Sequence, residues 1–202
     1  MSRFTFEQKT NADRETYEWD NIWWEHTENK DSKRILYVGD SISCGARNAV
    51  TKLSGEKILC DGFGTSKALD NPFFIPSVEM CLKQLNRCDG ILFNNGLHGW
   101  HQNAESYEKY YDIMLKFLKE LEIPVFVVLT TNFDAKPDSK EIIIERNEIA
   151  KKLAEKYGFP VIDLFSFSEN NKEFYSEDRV HFTGEGYEKI AEIILEAISD
   201  KI

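Results

Sequence analysis

An apolar run that stops at a glycine, an acid and a serine decides the fold of this chain: Arg34-Ile35-Leu36-Tyr37-Val38-Gly39-Asp40-Ser41-Ile42-Ser43. A continuous apolar run bounded by a turn is typical of a strand buried on both faces, so Ser41 should lie at its carboxyl end and open the next element. In open parallel sheets that edge is where sites form. Glycine, aspartate and serine are also common in turns and helix caps. This stretch alone therefore predicts where a site would lie in the fold, but not what the site does.

A second motif lies near the other end of the chain, at Asp178-Arg179-Val180-His181, and an amphipathic helix follows it. A serine nucleophile needs a base to take its proton, and that base needs an acid that fixes its tautomer and stabilises its charge. Asp178 and His181 are three residues apart, so one turn of the chain can supply both groups. The two motifs together indicate nucleophilic catalysis by Ser41.

In this order, the two motifs resemble those of the SGNH/GDSL hydrolase family, in which an early Gly-Asp-Ser carries the nucleophile and a late Asp-x-x-His carries the acid and the base. The resemblance covers about residues 34 to 198. It implies a serine esterase in which Ser41 attacks the ester carbonyl, His181 exchanges the proton and Asp178 orients His181. It implies no cofactor, and it leaves open whether the small-molecule substrate is an acetylated carbohydrate, a lipid or another acyl ester.

The resemblance also places an oxyanion hole next to the nucleophile. In the family, the backbone N–H of the nucleophile and that of a glycine after the second strand donate to the oxyanion. Here the second predicted strand runs into Asp61-Gly62-Phe63-Gly64. We therefore expect the N–H groups of Ser41 and Gly64 to fill these roles, with Gly62 as the fallback.

A third donor is expected in the loop after the third predicted strand. The family keeps Gly-x-Asn-Asp in this loop, whereas this chain reads Gly96-Leu97-His98-Gly99, so the glycine aligns and the asparagine does not. A neutral imidazole can donate one N–H in place of an amide, which predicts His98 as the third donor. Asn94 and Asn95 are the alternatives. Asn95 and Asp40 are also candidates for contact with the substrate.

Five apolar runs alternate with amphipathic helices along the chain. Strands are predicted at residues 34–39, 57–60, 125–130 and 161–165, and a third strand in chain order is predicted to begin at Gly90 and to end in a polar loop that runs to His101. This alternation predicts a three-layer α/β/α fold with a five-stranded parallel sheet, flavodoxin-like as in the SGNH hydrolases. Right-handed crossovers place the carboxyl ends of all the strands on one rim. Residues 166–177 are predicted to form a polar surface loop that leads to Asp178.

The segment before the first predicted strand is polar but rich in aromatic side chains. These are Phe4, Phe6, Tyr17, Trp19, Trp23 and Trp24. This aromatic area is too large for a disordered tail. We therefore predict that residues 1–32 form an arm packed on a hydrolase domain of residues 33–202. A more specific hypothesis is that the side chain of Trp23 or Trp24 lines the active-site cleft.

Composition limits the partners and the compartment. The chain has 202 residues, a net charge of −10 and a pI near 5.0, and this charge would repel nucleic acid and anionic membranes. We find no secretory signal pattern and no membrane-spanning run, which predicts a cytoplasmic location. The four cysteines are predicted to be reduced. His98 and His101 lack further ligands of the kinds that metals prefer, so no metal is expected, and the sequence indicates no oligomeric state.

Two other residues compete with the proposed catalytic groups. Cys44 lies three residues after Ser41 and invites a role as nucleophile, but a packed thiol on the first helix is the simpler interpretation. Asp163 is an alternative acid, although a carboxylate at the end of a strand more often binds neighbouring backbone.

A non-hydrolytic binding module is the alternative from another functional class. The turn Gly39-Asp40-Ser41 at a helix amino terminus could cradle an anion or another small ligand. Against this alternative, the turn lacks a longer glycine-rich loop, and Asp178 and His181 would have no use. The sequence therefore favours the esterase.

Overall fold

The computed structural model describes residues 16–136 and 139–202, and the elements below belong to these two ranges. The strands are β1 (Asp20–Trp23), β2 (Lys33–Gly39), β3 (Ile58–Thr65), β4 (Gly90–Phe93), β5 (Val125–Val128) and β6 (Val161–Ile162). The helices are α1 (Ser41–Leu53), α2 (Phe74–Gln84), α3 (Ala104–Glu120), α4 (Lys140–Tyr157), α5 (Leu164–Asn170) and α6 (Gly184–Ile198).

The strands form one sheet in the order β1-β3-β2-β4-β5-β6. Strands β2 to β6 are parallel, which confirms the predicted α/β fold and its five parallel strands. The chain passes from β2 to β3 on one side and then returns to β4 on the other side of β2. The order of the strands therefore reverses at the carboxyl end of β2, and crevices for ligands form at such a switch point.

Helices cover both faces of the sheet because successive side chains of a buried strand point to opposite faces. In β2, Leu36 and Val38 join a core cluster with α2, α3 and α4, whereas Ile35 and Tyr37 join a second cluster with α1 and α6. All four side chains are at most 1% exposed. The continuous apolar run thus fills two cores at once, as the sequence predicts.

The structure corrects the predicted chain path in two places. The fifth parallel strand ends at Ile162 instead of residue 165, because the Asp163 carboxylate caps α5 by accepting from the Ser166 N–H at 2.9 Å. The segment predicted as a polar loop instead contains α5 and a 3₁₀ turn, Lys172–Phe174. Second, β3 extends through both glycines to Thr65, because β1 pairs with it there.

The described part of the N-terminal segment packs on the body, and β1 adds a sixth, antiparallel strand to the sheet. A buried ion pair anchors this segment: Arg34 Nη1 donates to both oxygens of Asp61 at 2.7 Å. The same two side chains also bind the segment itself, because Arg34 Nη2 donates to the Glu25 carbonyl and Asp61 accepts from the Glu25 N–H. Phe4 and Phe6 lie outside the described residues. No helix in the described ranges is long and apolar enough to cross a bilayer.

Candidate active site

Ser41 lies at the carboxyl end of β2, in the middle of the sheet edge, and is the first residue of α1. Asp40 caps this helix, and its Oδ1 accepts from the Ile42 N–H at 2.9 Å. The cap places the Ser41 backbone N–H among the first N–H groups of the helix, which have no acceptor within the helix. Ser41 therefore combines an accessible hydroxyl with a backbone donor and the positive end of a helix dipole.

Asp178 organises the turn that carries His181. Its Oδ1 accepts from the N–H groups of Val180 and His181, each at 2.9 Å, and from the Ser176 hydroxyl at 2.7 Å. Its Oδ2 lies 2.6 Å from His181 Nδ1. The carboxylate therefore fixes both the backbone and the ring of the histidine.

The fold brings the two distant motifs into contact: His181 Nε2 lies 2.8 Å from Ser41 Oγ. When Nδ1 carries the proton and donates to Asp178, Nε2 is left as an acceptor that faces the serine hydroxyl. This arrangement can remove a proton from Ser41 and return it to a leaving group. The side chains of His181 and Asp178 are 40% and 50% exposed, so the site opens to solvent.

Two carboxyl groups beside Ser41 have opposite electrostatic environments. The hydrogen bond from His181, followed by those from the N–H groups of Val180 and His181, lowers the pKa of Asp178 well below its usual range. Burial raises the pKa of Asp40, although nearby His98 and His181 oppose the rise. Asp178 therefore remains a carboxylate at neutral pH and can stabilise a protonated His181.

Contacts in the loop after β4 separate the three candidates for the third oxyanion donor. The Asn94 amide nitrogen donates to the Val128 carbonyl and to Thr130 Oγ1 at 2.9 and 3.0 Å. The Asn95 amide nitrogen donates to the Lys67 carbonyl at 3.1 Å. Both N–H groups of the Asn94 amide are therefore engaged, and the Asn95 amide binds the loop after β3.

His98 is partly exposed and faces the nucleophile's side of the loop. Its ring packs edge to face on Trp19, with the ring centroids 6.2 Å apart, and it is close enough to Asp40 to affect the pKa of that carboxyl. His98 therefore lies near Asp40, the residue that precedes Ser41.

The Gly64 backbone N–H points toward β1. In an antiparallel ladder, opposite residues alternate between pairs that exchange hydrogen bonds and pairs that do not. The Ser66 N–H donates to the Trp19 carbonyl at 3.1 Å, and Gly64 lies two residues before Ser66, opposite Asn21. The Gly64 N–H is therefore directed at the Asn21 carbonyl and away from β2. This direction argues against Gly64 as a donor to the oxyanion.

Close packing explains the two glycines of β3. A Cβ atom on Gly64 would lie 2.2 Å from Cys44 Sγ, and one on Gly62 would lie 2.6 Å from Arg47 Nη1. Gly62, the fallback donor, lies two residues before Gly64 in the same ladder, so its backbone N–H also points toward β1. Cys44 packs against β3, and burial raises its thiol pKa, which argues for the packed thiol over the nucleophile.

The structure places a different tryptophan beside the site from the two that were predicted. Trp23 pairs with Gly62 and is 50% exposed, and Trp24 packs into the core cluster that contains α2. Because strands rise roughly 3.3 Å per residue, these two side chains lie about 13 to 17 Å along the chain from Trp19. Trp19 reaches the sheet edge because Asp20 pairs with Thr65, the last residue of β3.

The remaining candidates have partners of their own. Asp163 caps α5 and binds Ser166 through both carboxylate oxygens, at 2.9 and 2.7 Å, which matches the backbone-binding interpretation. His101 Nε2 lies 2.8 Å from Asp70 Oδ2, an ion pair when the histidine is protonated. His101 thus joins the loop after β4 to the loop after β3.

Sequence reasoning missed Arg146, a buried residue of α4 that binds the loop carrying His98. A signal was available. Ile143, Arg146, Asn147 and Ala150 follow helical spacing, so a charge and an amide interrupt an otherwise apolar face. Polar side chains on a buried helix face are hydrogen-bonded, and here they bind strand ends.

Comparison with known proteins identifies a family and a fold. The family model described as GDSL-like Lipase/Acylhydrolase matches residues 92–194, about half of the chain, a span that includes Asp178 and His181. No curated protein sequence matches the chain.

Several solved structures have the same fold. The acetyl xylan esterase AlAXEase is 21% identical, with a TM-score of 0.66 over 82% of this chain and 99% of that chain. The catalytic domain of peptidoglycan O-acetyltransferase A from Streptococcus pneumoniae is 20% identical, with a TM-score of 0.62 over 84% and 94%. A GDSL-like lipase from Bacteroides thetaiotaomicron is 20% identical, with a TM-score of 0.67 over 84% and 89%.

The close approach of α1 to β3 can be tested with Gly64→Ala. The added methyl group meets Cys44 Sγ, and overpacking of this kind typically costs about 1 to 3 kcal/mol of unfolding free energy. Gly64→Ala/Cys44→Ala should recover most of that loss in urea denaturation, with Cys44→Ala alone as the control. Because alanine keeps the backbone N–H, the double variant should also retain ester hydrolysis. A double variant as unstable as Gly64→Ala would contradict the packing explanation.

Proposed function

Because the chain belongs to the GDSL-like lipase/acylhydrolase family and is an SGNH-type esterase, we propose that it cleaves short-chain esters through a triad of Ser41, His181 and Asp178. One observation carries the proposal: a continuous line of hydrogen bonds joins the three side chains, at 2.8 Å from Ser41 Oγ to His181 Nε2 and at 2.6 Å from His181 Nδ1 to Asp178 Oδ2. Family membership also favours an enzyme over the anion-binding module.

Acylation begins when Ser41 Oγ attacks the ester carbonyl carbon and its proton passes to His181 Nε2. The carboxylate of Asp178 stabilises the imidazolium that forms. The tetrahedral intermediate then collapses, the bond to the alcohol oxygen breaks, and His181 returns the proton to the leaving alcohol. Water attacks the acyl-serine by the same route in reverse, which releases the carboxylic acid and restores Ser41.

The oxyanion of each tetrahedral intermediate is held by donors at the amino end of α1. The Ser41 N–H is one donor, because it is the first N–H of the helix. The His98 side chain is the second, because it stands where the family keeps an asparagine and lies close to Asp40 beside Ser41. Donors aimed at developing charge typically contribute roughly 10² to 10³ in rate each.

The substrate is proposed to be an ester with a small acyl group, such as acetyl, on a larger polar alcohol. Cavities of 710, 520 and 340 Å³ lie away from the triad, and none of these three is lined by Ser41 or His181. The exposed His181 and Asp178 side chains lie on an open surface that can receive a large alcohol. Two proteins of the same fold are named for acetyl chemistry, one as an acetyl xylan esterase and the other as a peptidoglycan O-acetyltransferase.

The acid of the triad is tested by Asp178→Asn. An amide at this position can donate to His181 and stabilise the wrong imidazole tautomer, so the kcat for p-nitrophenyl acetate should fall by roughly 10³ to 10⁴. Asp163→Asn is the matched control: asparagine is also a good helix cap, and kcat should change less than about threefold. Comparable losses of kcat in the two variants would contradict the assignment of Asp178 as the acid.

Acyl-chain preference is tested with p-nitrophenyl acetate and p-nitrophenyl octanoate, which share one leaving group. A buried methylene gains about 0.8 kcal/mol only where an apolar pocket receives it. On an open site the longer chain gains little of this energy, so kcat/KM for the octanoate should not exceed that for the acetate. A preference for the octanoate would contradict the short-chain proposal.

A further inference from the structure

Residues 94–102, the His98 loop, connect β4 to the approach to α3 without regular secondary structure. Gly99 within it has a φ of +74°, a conformation that glycine adopts without strain. The backbone carbonyls of such a loop need hydrogen-bond partners from elsewhere when they are buried. The contacts that fix this loop therefore also fix the backbone of His98, whose ring packs on Trp19.

Arg146 of α4 supplies those partners. Its Nη1 donates to the carbonyls of Gly96 and His98 at 2.9 and 2.8 Å, and its Nη2 donates to the Gly99 carbonyl at 2.7 Å. The residue is only 2% exposed. One planar guanidinium thus holds three carbonyls of a single turn, including the carbonyl of His98 itself.

Two rings hold the guanidinium in place. The Arg146 Cζ atom lies 5.2 Å from the centre of the Trp100 ring and 4.8 Å from that of Tyr107. The Tyr107 hydroxyl in turn donates to the Asn95 carbonyl. The arginine and the loop therefore restrain each other through hydrogen bonds and ring contacts on several sides.

A lysine at this position could not hold the three carbonyls in the same way. An ammonium group is a compact charge on a flexible stem, whereas the guanidinium presents its donors in a rigid fork. Three converging carbonyls match the fork, so Arg146 selects one arrangement of the His98 loop. A neutral histidine donates usefully only when its ring is held in one direction and one tautomer.

We propose that Arg146 is a positioning residue that holds His98 in the orientation needed to donate to the oxyanion. This inference rests on the proposed function, because it acts through the role assigned to His98. Arg146 is separated from the substrate by the loop backbone, so its effect is on the transition state and not on substrate affinity.

Kinetics of Arg146→Ala and Arg146→Lys test the proposal, with Leu118→Ala as the matched control. Leu118 is buried in α3 near the opposite end of the sheet, so its variant loses stability without touching the His98 loop. Below the unfolding transition, Arg146→Ala should lower kcat by about 10² with little change in KM, and Arg146→Lys should recover only part of the loss. Leu118→Ala should keep kcat. An equal kcat loss in Leu118→Ala would reduce Arg146 to a general stabiliser and overturn the proposal.

A double-mutant cycle shows whether Arg146 acts through His98. If it does, Arg146→Ala should cost little more in a His98→Ala background, because the donor that it positions is already absent. Additive losses would overturn the proposal. Arg146→Lys replaces Arg146→Ala in the cycle if the alanine variant does not fold.

A readout independent of activity separates this inference from the proposed function. With ¹⁵N-labelled histidine, His98 should show the nitrogen shifts of one tautomer, and in Arg146→Lys these shifts should become averaged. That result in a protein that hydrolyses no ester would refute the proposed function, although it would still show that Arg146 fixes the ring of His98. Unchanged His98 shifts in an active protein would refute the positioning role alone.

Discussion

Strands β2 to β6 all run in one direction, and the rest of the site depends on this constraint. Parallel strands present their carboxyl ends at one edge, so segments remote in the chain meet there without any local signal between them. The hydrogen bond between His181 Nε2 and Ser41 Oγ joins residues 140 positions apart in this way. The loops after β3 and β4, which carry Ser66 and His98, reach the same edge.

Buried polar side chains, more than the apolar core, give this edge its precise shape. Asn147 of α4 exchanges hydrogen bonds with the backbone of Thr130, and its neighbour Arg146 binds the His98 loop. At the other end of β2, the Arg34–Asp61 pair anchors the segment that brings Trp19 to the site. Groups of this kind are costly to bury without partners, so a fully bonded network favours a single arrangement.

Continuous apolar patterns in the sequence predict the parallel sheet. Strand β1 is not predicted, because it forms by pairing with β3 and has no such pattern of its own. The apolar run before Ser41 and the alternation of strands with helices are enough for the parallel sheet, and the two motifs are enough to bring Ser41, Asp178 and His181 together. The strand β1 was missed because its four residues are exposed and carry no apolar pattern. Without β1, neither the direction of the Gly64 N–H nor the position of Trp19 beside His98 follows from the sequence.

The most direct measurement is labelling with a fluorophosphonate followed by mass mapping of the modified peptide, because a serine must be activated by its neighbours to react. The account predicts one equivalent of label on Ser41 in the wild-type chain. Ser41→Ala should take up no label while it keeps the wild-type melting temperature, and His181→Ala should react far more slowly. Label on another residue, or none on a folded wild-type chain, would contradict the claim that Ser41 is the nucleophile of this esterase.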